Sequence, residues 1–249
     1  MNVVEMFKSI QGEGIYSGRP MLFIRLAGCN LNCPWCDTKY ALEGEFIPMC
    51  SRDIVSQARH LAKPPIKTIC FTGGEPMIYQ PEMLRKVARL LKTLQYQLHM
   101  ETNGTIPPGQ SLLRDIDFWS VSPKLAEDFE QIYPPSKISY IESVRIICKE
   151  GKAVQLKFVI AKEEETPVIK RFVEELELTD EELERIPIII QPERFTFEQS
   201  WREGCYTERD CYLEKIPELI MWCEKNLKNI NYQILPQLHY LLWKGKRGV

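Results

Sequence analysis

A basic excess is missing from this chain: its formal net charge is -2 and its pI lies near 6.0. The electrostatic footprint of a nucleic-acid-binding protein is therefore absent. No apolar run approaches the roughly 20 residues of a membrane-spanning helix. Met1-Asn2-Val3-Val4-Glu5 carries neither the basic nor the apolar part of a secretory leader. The expectation is a cytoplasmic protein with no membrane or nucleic-acid partner. Histidine is scarce too, with 3 residues in the whole chain. None follows the cysteine-rich segment at finger spacing, where the next candidate ligands are Cys50 and His60. A structural zinc site wants four N or S ligands, and a disulfide framework belongs to secreted chains with small cores. With 44% hydrophobic residues, the chain can bury a sizeable core as one domain, 1–249.

The segment Gly28-Cys29-Asn30-Leu31-Asn32-Cys33-Pro34-Trp35-Cys36-Asp37-Thr38 places three cysteines at CxxxCxxC spacing. Thiolates are soft ligands that favour iron–sulfur clusters, zinc or copper. A [4Fe-4S] cluster normally takes four of them, so three leave one iron open to a small chelating cofactor. An open position is what separates catalytic from structural metal centres.

Around this loop, strands and helices alternate. Met21 to Leu26, Ile66 to Phe71, Tyr96 to Met100, Asp117 to Val121, Gln155 to Ile160 and Ile186 to Ile190 read as strands. Pro81 to Leu94 carries apolar residues at helical spacing behind an N-terminal proline. The charged stretch from Lys162 to Arg185 reads as the solvated face of helices. The alternation implies an α/β fold with a mostly parallel sheet, in which function gathers in loops after the carboxyl ends of strands. The motifs Thr72-Gly73-Gly74-Glu75-Pro76, Glu101-Thr102-Asn103-Gly104-Thr105 and Ser122-Pro123-Lys124 each follow such a strand.

The cysteine spacing resembles the signature of the radical S-adenosylmethionine (SAM) enzymes. Ser9-Ile10-Gln11-Gly12-Glu13-Gly14, Phe23 to Leu31, Trp35-Cys36-Asp37-Thr38, Gln191-Pro192 and Pro236-Gln237-Leu238-His239 narrow the resemblance to the 7-carboxy-7-deazaguanine synthase family. It implies a modified partial (β/α) barrel, and conversion of 6-carboxy-5,6,7,8-tetrahydropterin to 7-carboxy-7-deazaguanine with loss of ammonia, within queuosine or deazapurine biosynthesis. The implied cofactors are a [4Fe-4S] cluster, SAM and Mg2+. The implied partners are an electron donor such as flavodoxin or ferredoxin and a second copy of the chain in a homodimer. Carried over residue by residue, the resemblance makes Cys29, Cys33 and Cys36 the cluster ligands and Thr38 the Mg2+ ligand. Trp35, Cys36, Asp37, Gly74, Glu75, Ser122, Pro123, Lys124, Gln191, Pro192, Glu193 and Arg194 would border SAM. Ile10, Gln11, Gly12, Glu13, Arg25, Thr72 and His239 would hold the substrate.

The residue types agree with that assignment. The guanidinium fork of Arg25 suits a carboxylate, although a structural ion pair would use it equally. Gln11 and Glu13 match the donors and acceptors of a pterin edge, although Glu13 reads equally well as a solvated turn residue. His60 and His99 read as structural, and Cys70 as a small core residue. Cys205, Cys211 and Cys223 leave an auxiliary metal or a disulfide open beside buried free thiols. The tail from Tyr240 to Val249 runs on past His239, as in the longer members of the family. Two other classes stay in view: a radical SAM activase that installs a glycyl radical on a protein partner, and a zinc-binding interaction protein.

Overall fold

The computed structural model describes residues 1–125, 137–193, 212–244 and 246–248. Its strands are β1 (Asn2–Ile10), β2 (Pro20–Leu26), β3 (Ile47–Pro48), β4 (Thr68–Gly73), β5 (Gln97–Thr102), β6 (Phe118–Val121), β7 (Val154–Ile160), β8 (Ile188–Pro192) and β9 (Tyr232–Ile234). They form one nine-stranded sheet in the order β3-β1-β2-β4-β5-β6-β7-β8-β9. From β2 to β9 every pairing is parallel, and β1 pairs antiparallel with both β2 and β3. The edges β3 and β9 do not meet, so the expected partial barrel is present and open.

The helices are α1 (Tyr40–Glu43), α2 (Ser51–Leu61), α3 (Pro81–Thr93), α4 (Gln110–Asp115), α5 (Lys137–Glu150), α6 (Glu165–Glu175), α7 (Asp180–Glu184), α8 (Ile216–Asn226) and α9 (Leu238–Trp243). In α3, Pro81 supplies a preset φ at the first turn, and Leu84, Val87, Ala88 and Leu91 bury one stripe. The charged stretch is solvated as expected: α6 buries Ile169, Phe172 and Val173 and turns its acidic residues outward. Cys205 and Cys211 lie outside the described residues, whereas Cys223 is buried in the core on α8.

Side chains alternate faces along each strand, and the alternation divides the sheet cleanly. Leu22, Ile24 and Leu26 on β2, Ile69 and Phe71 on β4, Leu98 and Met100 on β5, and Leu156 and Phe158 on β7 join the large core beneath the helices. The intervening residues face the barrel interior. Deep in that interior, Met21, Phe23 and Cys70 pack together, and His99 sits against Tyr16 and Phe118 at ring distances of 4.7 and 4.9 Å. One step further along the strands, the inward residues turn polar: Arg25, Thr72, Glu101, Ser120, Lys157 and Gln191. The register sets Arg25 opposite Thr72 and Glu101 opposite Ser120. The strands therefore end in a polar ring.

Three strands were not anticipated. β1 alternates Glu5 and Lys8 with apolar residues at a sheet margin, and β3 and β9 span only 2 and 3 residues.

Candidate active site

The polar ring opens into a cavity of about 310 Å³ at the carboxyl ends of the parallel strands. Two backbone devices hold its cysteine wall. Gly74 donates its N–H to the Leu26 carbonyl at 2.9 Å, and Glu75 donates its own to the Gly28 carbonyl at 2.8 Å. A Cβ on Gly74 would overlap that Gly28 oxygen, so the glycine is needed for the loop after β2 to lie directly on the loop after β4. Gly28 takes a φ of +82°, which turns the chain into the cysteine segment. There Cys29, Cys33 and Cys36 pack with Leu31 and Trp35 in one small cluster. The motif after β5 braces the loop: Asn103 Nδ2 donates to Asn30 Oδ1 at 3.0 Å, and Asn30 Nδ2 donates to Thr105 Oγ1 at 2.7 Å.

This donor set fits the expected cluster. Three soft sulfur ligands converge within one loop, and no zinc-type fourth ligand is needed to complete it. Burial pushes the Cys29 thiol up to about 11, with the charges of Glu75, Cys33 and Cys36 adding to the effect. Such a thiol ionises when a metal compensates it.

The opposite wall is a buried polar network. Glu101 accepts from Gln11 Nε2 at 2.8 Å on one oxygen and from Thr72 Oγ1 at 2.5 Å on the other. Glu13 accepts from Gln191 Nε2 at 3.0 Å and Gln237 Nε2 at 2.6 Å on Oε1, while Lys157 Nζ pairs with its Oε2. Burial opposes ionisation of Glu13, yet Lys157 and the nearby His239 outweigh it and hold the carboxyl well below the usual range. Glu13 is therefore not a solvated turn residue. The amide orientation of Gln191 follows from this pairing: its nitrogen faces Glu13, and its buried Oε1 is left without a partner among the described residues. His239 lies on Gly12, where any Cβ would overlap the imidazole, and Leu238 donates its N–H to the Gly12 carbonyl at 2.8 Å.

Arg25 and Thr38 occupy a third side. Glu5 accepts from Arg25 Nε at 2.8 Å, and Thr38 Oγ1 donates to Asp37 Oδ1 at 2.7 Å. Asp37, Glu13 and His239 bring one potential ligand atom each to within 4.8 Å of one another.

Of the residues expected at the site, Ile10, Gln11, Gly12, Glu13, Arg25, Cys29, Cys33, Trp35, Cys36, Asp37, Thr38, Thr72, Gly74, Ser122, Lys124, Gln191, Glu193 and His239 line the cavity. Glu75, Pro123 and Pro192 do not. Glu75 sits behind the wall, where its carboxylate accepts from Met77 N at 2.9 Å, Thr102 Oγ1 at 2.8 Å and Asn103 N at 2.6 Å. Its oxygens tie the loop after β4 to the end of β5, which gives it a structural role. Arg194 lies outside the described residues. His60, read from the sequence as structural, is on the exposed side of α2, where the buried residues of that helix are Ser51, Ile54 and Ala58. Lys157 and Gln237 line the cavity without having been singled out as site residues. A lysine inside the apolar run Gln-Leu-Lys-Phe-Val-Ile was the available signal for the first.

An open parallel barrel with a three-cysteine loop after its first parallel strand defines a radical SAM protein. The Radical SAM superfamily model matches residues 23–130. The fold is similar to that in the crystal structure of QueE from Escherichia coli, with a TM-score of 0.64 and 22% identity over 94% of this chain and 92% of that one. Among curated relatives, the 7-carboxy-7-deazaguanine synthase of Pyrobaculum aerophilum is 30% identical over 249 residues, covering 100% of this chain and 97% of its own. That of Thermoplasma acidophilum is 30% identical over 254 residues, with both chains fully covered. The chain belongs to the 7-carboxy-7-deazaguanine synthase family.

Proposed function

We propose that this enzyme converts 6-carboxy-5,6,7,8-tetrahydropterin to 7-carboxy-7-deazaguanine with loss of ammonia, and that it requires Mg2+. The observation that carries the reading is a single small cavity with soft thiol donors on one wall and interlocked amides and carboxylates on the other.

In this reading Cys29, Cys33 and Cys36 hold the cluster, and Trp35, Asp37, Gly74, Ser122, Lys124 and Glu193 lie along SAM. Cluster and cofactor together supply the hydrogen-atom abstraction that starts the reaction. The chain's own residues position the substrate. Glu13, held ionised by Lys157, offers a fixed acceptor to the ring's N–H donors, and Gln191 Oε1 offers a second. Gln11 and Thr72 are held in place by Glu101. Glu5 occupies Nε of Arg25, which leaves the two terminal nitrogens to grip the substrate carboxylate as a fork. Thr38 and the neighbouring Asp37 present hard oxygens to Mg2+, a cation that takes few protein ligands and keeps substrate oxygens and water. A ferredoxin or flavodoxin would supply the electron, and the family resemblance extends the reading to a cytoplasmic homodimer.

The test is anaerobic reconstitution with iron and sulfide, reduction, and incubation with SAM, Mg2+ and carboxytetrahydropterin, with carboxydeazaguanine sought by mass spectrometry. Product formation that falls in Thr38→Ala, with iron content intact and a weakened Mg2+ response, is the expected result. SAM cleavage without conversion of the pterin would overturn the substrate. A colourless protein retaining zinc would overturn the class.

A further inference from the structure

The cation that grips the substrate carboxylate in the reading above is Arg25, but it is not the only guanidinium at that place. Glu5 and Arg25 are direct cross-strand partners in the antiparallel β1–β2 pair. The carboxylate of Glu5 is shared: Oε1 accepts from Arg25 Nε at 2.8 Å and from the Tyr40 hydroxyl at 3.1 Å, and Oε2 accepts from Arg247 Nε at 3.3 Å. Both guanidiniums also lie against the ring of Tyr40, Arg25 at 5.6 Å and Arg247 at 4.2 Å from its centroid. Beyond Glu5, the terminal nitrogens of the two arginines have no protein partner among the described residues. Arg25, Arg247 and the adjacent Lys246 all line the cavity.

One carboxylate, Glu5, is shared by two guanidiniums, so this corner keeps two planar forks whose terminal nitrogens carry no protein hydrogen bond among the described residues, in a cavity that Asp37 and Lys246 also line. A neutral or cationic ligand would gain nothing from it, whereas a carboxylate would engage both forks at once. The segment that delivers Arg247 leaves α9 through Lys244, a residue in the left-handed region with φ +50°. Lys246, Arg247 and Gly248 are exposed where they line the cavity.

We infer that Arg247 is a second carboxylate-binding residue, brought to the substrate by the C-terminal segment and aligned by the same Glu5 that aligns Arg25. The inference rests on the carboxytetrahydropterin reading, and the experiment separates the two. Arg247→Met keeps most of the aliphatic stem and removes the fork, and Arg247→Lys keeps the charge but not the bidentate geometry. Steady-state kinetics would be run on the reconstituted enzyme with the carboxylate substrate and with its 6-carboxamide analogue. Arg247→Met should raise KM for the carboxylate about tenfold, a step corresponding to roughly 1.4 kcal/mol. It should leave kcat within about twofold and shift KM for the carboxamide little. Arg247→Lys should recover part of the loss, and iron content should match the parent enzyme in both.

An unchanged KM for the carboxylate would overturn the inference. An equal rise for carboxylate and carboxamide would overturn it too, because it would assign Arg247 to docking of the tail alone. If Arg25→Met also failed to discriminate between acid and amide, the carboxylate reading of the whole corner would fall with it.

Discussion

Replacing Lys157 by methionine removes one half of a buried ion pair and leaves the other half in place. The side chains of Lys157 and Glu13 are 12% and 14% exposed, so solvent does little to screen either charge. Removing one partner of such a pair costs about 3 to 5 kcal/mol, because the remaining charge is left uncompensated in a low-dielectric setting. Glu13 keeps the amides of Gln191 and Gln237, which puts the expected loss near the lower end, about 3 kcal/mol. Glu13→Gln strands the ammonium instead and should cost a comparable amount. The double variant removes both charges, so it should lose far less than the sum, with a coupling of about 2 kcal/mol. The assay is urea unfolding of the cluster-free, thiol-reduced chain, where no metal disturbs the two-state analysis.

The sign of the pH dependence offers a second check. In the parent chain Glu13 is held below the usual carboxylate range, so its contribution is complete above about pH 4.3, the unfolded value, and fades only in stronger acid. Without Lys157, His239 and the Gln237 hydrogen bond remain to oppose burial, so burial is expected to prevail and lift the folded value above the unfolded one. Stability of Lys157→Met should then decline as pH rises from 5 toward neutrality, opposite to the usual behaviour of a paired carboxylate. Additive losses in the double variant, within about 0.5 kcal/mol, would refute the argument, as would a Lys157→Met chain whose deficit is the same at both pH values.

Three other perturbations follow from the geometry. Burial holds the His99 imidazole down to about 4, so stability is complete above the unfolded value near 6.5 and declines by about 3 kcal/mol as pH falls toward 4. His99→Phe should flatten that limb of the unfolding curve, and an unchanged slope would exclude His99 as its source. Gly74→Ala should lose most of its iron on reconstitution, because the new Cβ displaces the Gly28 carbonyl on which the cysteine loop rests; parent-level iron and absorbance would show that the loop can give way. Glu75→Gln offers one acceptor oxygen where three donors converge, and a cost of about 1 to 3 kcal/mol is expected. Thermal unfolding of the cluster-free chain measures it, and a loss below about 0.5 kcal/mol would contradict the structural role given to this carboxylate.

Much of the architecture was readable in advance because each parallel strand is a short, mostly apolar run with one face packed beneath the helices. Met21 to Leu26 and Gln155 to Ile160 stand out as short runs bounded by turn residues. β1 was not readable in this way, since Glu5 and Lys8 serve one the arginine corner and the other the surface, which breaks the apolar pattern. Within the site, the cysteine spacing and Gln11-Gly12-Glu13 announced themselves as local motifs. Lys157 and Gln237 did not, because each matters through a partner far away in sequence: Lys157 is 144 positions from Glu13, and Gln237 is 224. Glu75 shows the converse. Its motif was legible, but not that its carboxylate accepts from the backbone at Met77 and Asn103 and from the Thr102 hydroxyl. Local sequence reveals which groups are present, and only the register of distant strands decides where they point.

The polar ring makes that register self-checking. A slip of one residue in β7 would carry Lys157 to the helix side, into a layer now filled by Leu156 and Phe158, and would bring an apolar side chain to the cavity. Strands whose faces differ this sharply have no low-energy alternative pairing, since an unpaired ammonium or carboxylate beneath the helices costs several kcal/mol. The same holds for Glu101 on β5 and Gln191 on β8. A misassembled site is thereby excluded by the folding equilibrium itself. Any molecule that reaches the native core has already brought Glu101, Lys157 and Gln191 to one cavity.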